Sequence, residues 1–305
     1  MGRLVFRKPR WTRSSPDWHW LSSESFWVKT SVQSKHANMK VFCRAALLLF
    51  LLGQLAMVQA QFIYTTNNGA LTITGYTGPG GYVNIPDTIM VGGVNLLVTS
   101  IGSDAFVDCL SLTSVIIPNS VTNIGSGAFE ICTNLTNALI PNNVTSIGDY
   151  AFAFCRSLPS ITIGSGVTSI GDFAFAFCSG VTNVAIPNSV ASIGGWAFEN
   201  CLSLTSVTIP DNVPNIGDGA FGGCSSLTTV TIGNSVTAIG ESTFYGCTSL
   251  TSVTIPNSVT NIGSSAFGDC TNLTGVYFEG NACWVNSDVF DHFSGGLPIY
   301  DPAIV

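Results

Sequence analysis

From Ile101 onward, apolar residues return to the same positions with a period that is neither the 2 of a strand nor the 3.6 of a helix. Phe recurs every 23 residues at 106, 129, 152, 175, 198, 221, 244, 267 and 290, and Cys does so from 109 to 270 without an insertion. Ile keeps the same interval from 101 to 262. A fixed period of roughly 20–30 residues signals stacked coils, each too small to bury its own apolar face. In the unit 112–132, the alternation of Leu112, Val115 and Ile117 predicts a short strand. Pro118-Asn119 predicts a turn, because Pro removes a ladder donor and the pair favours a bend. Val121 and Ile124 make a second apolar pair and Gly125 a second corner. Ala128-Phe129-x-x-Cys132 fits a single helical turn pointing Phe and Cys inward. The expected fold class is a solenoid of 23-residue coils, each a short β-strand plus turns and a single helical turn.

The pattern also divides the chain. Residues 61–97 carry Phe62-Ile63-Tyr64, Leu71-Thr72-Ile73 and Val83-Asn84-Ile85-Pro86, short alternating strands separated by NNG and GPGG, which predict an N-terminal β cap. The solenoid is expected over 98–293 and an irregular tail over 294–305. Residues 39–60 read as a signal peptide. Lys40 and Arg44 form a positive start, Ala45 to Leu52 is an apolar run, and Val58-Gln59-Ala60 is a small-residue cleavage site ahead of Gln61. The run is too short to span a membrane, which takes about 20 apolar residues. Residues 1–38, basic and rich in Trp, share nothing with the repeat and are expected to be a non-native upstream extension, with Met39 as the initiator.

Composition excludes disorder, since 46% of the 305 residues are hydrophobic and only 9% charged. Charge narrows the partners. From Gln61 onward there are 15 Asp and Glu against one basic residue, Arg156, a net of −14. Nucleic acid and anionic membrane surfaces need Lys and Arg to neutralise phosphate, so neither is an expected partner.

Candidate chemistry is sparse. The cysteine ladder admits buried thiols, scattered disulfides or metal. Parallel rungs about 4.8 Å apart hold Cβ atoms farther than the roughly 3.8 Å a bridge prefers, and evenly spaced single thiols make no tetrahedron, so buried thiols are expected. Asp149, Asp172, Asp218 and Glu241 recur after the corner glycine, as a calcium column or as caps of the helical turn. Caps are favoured, because Ser103, Ser126 and Ser264 share the region and the clustered spacing of calcium loops is missing. The one His after residue 60, His292, leaves a hydrolase without a placed base. GPGG at 78–81 is a turn rather than a phosphate loop, since no helix follows it. No catalysis, cofactor or metal is expected.

The pattern LxxVxIPxxVxxIGxxAFxxC, running over roughly 98–293, resembles the BspA-type (treponemal) class of bacterial leucine-rich repeats. That resemblance implies a curved leucine-rich repeat solenoid, secreted or displayed on the cell surface after cleavage near Ala60. It implies non-covalent recognition of proteins or other extracellular macromolecules, as in adhesion, and leaves the oligomeric state open.

Two faces are candidates for recognition. The strand positions Ser160 and Thr162, Ser206 and Thr208, Thr229 and Thr231, and Ser252 and Thr254 form a hydroxyl array. It resembles the flat faces of β-solenoid antifreeze proteins and raises ice or crystal binding as an alternative function. Asn137, Leu139, Asn183, Ala185, Gly275 and Tyr277 interrupt it. On the opposite side, Tyr150, Phe173 and Trp196 stand 23 apart, with Phe154 and Phe177 four residues after the first two. On a helical turn these five rings share one face, and Arg156 adds the one positive charge beside them. They are the expected binding residues, with a locally fatter core that takes the rings in as the alternative, since the equivalents elsewhere are Gly127, Gly219, Ser242 and Ser265.

Overall fold

The computed structural model describes residues 61–279 and 288–290. The expected signal peptide, the upstream extension, Cys283, His292 and the tail lie outside them.

The cap begins with β1 (Phe62–Asn67) and β2 (Ala70–Tyr76), an antiparallel pair turned by Asn68-Gly69, both at positive φ. It continues through β3 (Gly81–Asn84) and a hairpin of β4 (Thr88–Val91) and β5 (Val94–Ile101) around Gly92-Gly93. That hairpin has no counterpart in the sequence reading. Two parallel sheets then run along the solenoid, and Ser252–Ile255 with Gly275–Phe278 form a separate parallel pair at its C-terminal end. β3 pairs with β6 (Leu112–Ile116), the first of the longer strands, which continue as Asn137–Leu139, Ser160–Thr162, Asn183–Ala185, Ser206–Thr208 and Thr229–Thr231. β5 pairs with β7 (Asn123–Ile124), the first of a series of two-residue strands that repeats at 146, 169, 192, 215, 238 and 261. Each coil therefore contributes to two sheets. Val121 and Ile124, read from the sequence as a second apolar pair, are fully buried between them.

The core is a set of ladders. The inward Phe rings stack from Phe106 to Phe290 with centroids 4.9–5.9 Å apart and planes within 18° of parallel. Tyr76 closes the N-terminal end, its ring 5.2 Å from that of Phe106. Beside the rings run the thiols, and the seven from Cys132 to Cys270 each donate to a Phe carbonyl 26 residues earlier, as in Cys178 Sγ to Phe152 O at 3.1 Å. The eight described cysteines are free, seven of them buried and Cys109 half-buried. Burial pushes the thiols of Cys132, Cys178, Cys224 and Cys270 up from 9.0 to about 12.

The expected helical turn is absent: among the described residues the chain forms no helix. The segment after each corner glycine is a run of six turn residues, 149–154 in the coil of Phe152. Its second and sixth residues, Tyr150 and Phe154, have φ of 57° and 61°, outside the right-handed region a helix requires. The cause is a competition for donors. The N–H groups of Tyr150, Phe152 and Phe154 donate to the next coil, at Asp172, Ala174 and Ala176, over 2.7–2.9 Å. Those of Ala151, Ala153 and Cys155 close local turns to Gly148, Tyr150 and Phe152. Alternate donors are thus aimed along the solenoid axis, and a helix would need them all within its own segment. Phe152 and Cys155 still point inward, as expected, and both are buried.

The corner glycines are required by proximity. A Cβ on Gly171 would stand 2.6 Å from the Asp149 nitrogen and 2.7 Å from the Gly148 carbonyl carbon. No side chain fits there without separating two coils. Gly171→Ala should therefore cost about 1–3 kcal/mol in a denaturant titration, as overpacking does; a neutral result would show that the coils can move apart freely.

Candidate functional site

The turn runs stack into one face of the solenoid. At its second position the chain is left-handed in every coil, with φ between 53° and 62° from Asp104 to Ser265. Gly, Ser and Asp suit such a position, while a bulky residue there costs about 1–2 kcal/mol. Three consecutive coils nevertheless carry Tyr150, Phe173 and Trp196.

Their rings form a column. Tyr150 and Phe173 stack at 4.8 Å with planes 6° apart, and Phe173 and Trp196 at 5.2 Å and 8°. Tyr150 and Trp196 remain 41% and 40% exposed, so the column is not absorbed into the core. Phe154 and Phe177 form a second column at 4.6 Å and 2°, half-buried beside it. The Arg156 guanidinium lies 5.8 Å from the Phe154 centroid, within cation–π range. The five rings thus line one face as two stacks, placed there by positive φ and axial hydrogen bonds rather than by helical periodicity.

The recurrent acids belong to the same face. Asp149 Oδ1 accepts the Asp172 N–H at 2.9 Å, Asp172 Oδ1 the Gly195 N–H at 2.7 Å, and Asp218 Oδ1 the Glu241 N–H at 2.8 Å. They do cap backbone donors, but in the neighbouring coil, since there is no helix end to cap. Among the described residues no three His, Cys, Asp or Glu converge as metal ligands.

The other long face is different. Ser160, Thr162, Ser206, Thr208, Thr229 and Thr231 are all exposed on the longer strands and carry no charge. Leu139, in register with Thr162, and Ala185, also paired with Thr162, break the hydroxyl row that an ordered water lattice would need.

A family model for the BspA type leucine rich repeat region matches residues 99–221 and 196–295, most of the described solenoid. The chain belongs to the BspA-type leucine-rich repeat family.

Among solved structures, this BspA-type chain is similar to a leucine rich cell surface protein from Faecalibacterium prausnitzii, at 39% identity and a TM-score of 0.55 over 72% of the chain. The match covers 53% of that protein, so the chain spans about half its length. It is similar also to the T. pallidum leucine rich repeat protein, at 31% identity and a TM-score of 0.58 over 70% of this chain and 88% of that one. A leucine-rich repeat protein from Bacteroides ovatus matches at 31% identity and a TM-score of 0.50, over 72% and 70% of the two chains. No curated protein matches the chain. Among the described residues of this BspA-type solenoid, no helix is long and apolar enough to cross a membrane.

Sequence reasoning missed one property of the site, the left-handed backbone beneath the aromatic column. The signal was present in Gly127 and Gly219, which share that position, because glycine is the usual occupant where φ must be positive.

Proposed function

We propose that this chain is an exported, non-catalytic recognition protein that binds another extracellular macromolecule through the turn face around Tyr150, Phe173 and Trp196, with Phe154, Phe177 and Arg156 at its margin. The observation that carries this reading is the placement of three large aromatics where the backbone penalises them. Coils at Gly127, Gly219, Ser242 and Ser265 fold without such rings, so the repeat does not need them. Bulky residues held at unfavourable φ/ψ cluster at functional sites. Export is supported by the leader-like residues 39–60 and by the F. prausnitzii relative, which is a cell surface protein.

The test sets the two long faces against each other. The full chain is immobilised and presented with purified extracellular matrix proteins and polysaccharides. Tyr150→Ser, Phe173→Ser and Trp196→Ser together should reduce binding of the captured ligand at least about tenfold. Stability should fall by no more than about 2 kcal/mol, since Ser already occupies this position at 242 and 265 and only exposed stacking is lost. Thr162→Lys with Thr208→Lys on the strand face should bind like the parent. Loss in the strand-face variant with retention in the aromatic one would move the site to the hydroxyl array.

A further inference from the structure

The charge of the chain is segregated between its faces. Of the 13 Asp and Glu among the described residues, nine lie in the six-residue turn runs and none on the exposed positions of the longer strands from 160 to 254. The acids therefore surround the aromatic columns, and the chain from Gln61 onward supplies one cation, Arg156, to offset them. Any further neutralising charge has to come from outside residues 61–305.

The geometry of the rings restricts how a partner approaches. Planes within 8° and centroids near 5 Å leave each inner face of the column occupied by its neighbour, so the column offers ring edges along its length. One flat face is left at each end. The Trp196 indole lies over Gly219, where an added Cβ would stand 3.0 Å from its Cε2 atom, and that end is closed. In the coil before Tyr150 the equivalent position is Gly127, which has no side chain to stack on that end of the column. Beside Gly127 stand two carboxylates, with Asp104 Oδ1 and Glu130 Oε2 both within 3.4 Å of where its Cβ would be. Burial pushes the Glu130 carboxyl up, and the charge of Asp104 adds to that, so a nearby cation would favour the Glu130 carboxylate.

Building on the reading that this face is the recognition surface, we infer that its partner is a cationic polypeptide segment rich in Arg, whose side chains lie along the ring edges and pair with the flanking carboxylates. Arg suits both parts of the surface. Its apolar stem covers ring edges while its head stays hydrated beside Asp149 and Asp172. Its planar guanidinium can continue the stack on the open face of Tyr150 between Asp104 and Glu130, where a compact ammonium fits less well.

A fluorescently labelled Arg-Leu repeat peptide, with Lys-Leu, Glu-Leu and Ser-Leu counterparts, tests this by anisotropy titration of the full chain. The Arg peptide should bind more tightly than the Lys peptide, and the Glu and Ser peptides should bind at least about tenfold more weakly. Its affinity should drop as salt rises from about 50 mM to about 300 mM, and drop about tenfold or more in the Tyr150→Ser, Phe173→Ser, Trp196→Ser variant. Thr162→Lys with Thr208→Lys should change it less. An Arg peptide that binds the aromatic variant as well as the parent reflects diffuse attraction to an acidic chain and overturns the inference. Equal binding of the Ser peptide overturns the cationic partner while leaving the aromatic face as the recognition site. If the aromatic variant loses the macromolecular ligand but no peptide binds the parent, the inference again fails and the recognition reading stands.

Discussion

Raising the pH from 8 to about 10 should unfold the solenoid cooperatively. Seven fully buried thiols are held neutral. Those of Cys132, Cys178, Cys224 and Cys270 are pushed to about 12, and burial likewise raises Cys155, Cys201 and Cys247 well above 9.0. In the unfolded chain the same thiols ionise near 9. Between 9 and 12 the folded state binds more protons than the unfolded state, so stability is full below 9 and declines as the pH rises toward the folded values. Each thiol contributes roughly 1–2 kcal/mol of destabilisation at pH 10, and seven together reach the order of 10 kcal/mol. That matches the whole stability of an ordinary domain. Circular dichroism against pH should show a steep transition between about 9 and 11, shifted upward when Cys155, Cys178 and Cys201 are replaced by Ala. A gradual, non-cooperative change insensitive to those replacements would remove the thiols as the cause.

Phe175→Ala should cost about 3–5 kcal/mol, the range for deleting a large buried aromatic. The ring is 1% exposed and stacks on both neighbours, 5.3 Å from Phe152 and 5.3 Å from Phe198. Its removal leaves a gap in the middle of a ladder that both adjacent coils share. In a nearest-neighbour solenoid such a gap weakens two interfaces at once, so the unfolding transition should broaden or split as well as shift. Chemical denaturation followed by far-ultraviolet circular dichroism reads both effects. The contrast with Phe173, two residues earlier, is informative. Phe173 belongs to the outer column, and its replacement by Ser should leave the midpoint close to that of the parent.

The 23-residue period, the inward Phe, Ile and Cys, the corner glycines and the strand of Leu112 and Val115 follow from the sequence alone. Each is a statement about which side chains tolerate burial or crowding, and burial is written in the chemistry of a single coil repeated many times. The same regularity made the family legible and showed that Tyr150, Phe173 and Trp196 exceed what the repeat requires. The turn run was not legible in that way. Ala-Phe-x-x-Cys is compatible with a helical turn when read locally, and the helix is excluded only because Phe152 donates to Ala174, 22 residues away, and its neighbours follow suit. Tertiary stacking likewise decided that Asn123-Ile124 and its equivalents form a second sheet, since two residues acquire strand geometry only between flanking coils. It placed the Asp149 carboxylate on the backbone of the next coil, and it set the aromatics in two columns on left-handed backbone. Side-chain burial is a property each coil carries within itself, whereas the destination of a backbone donor depends on what lies one coil further along the axis.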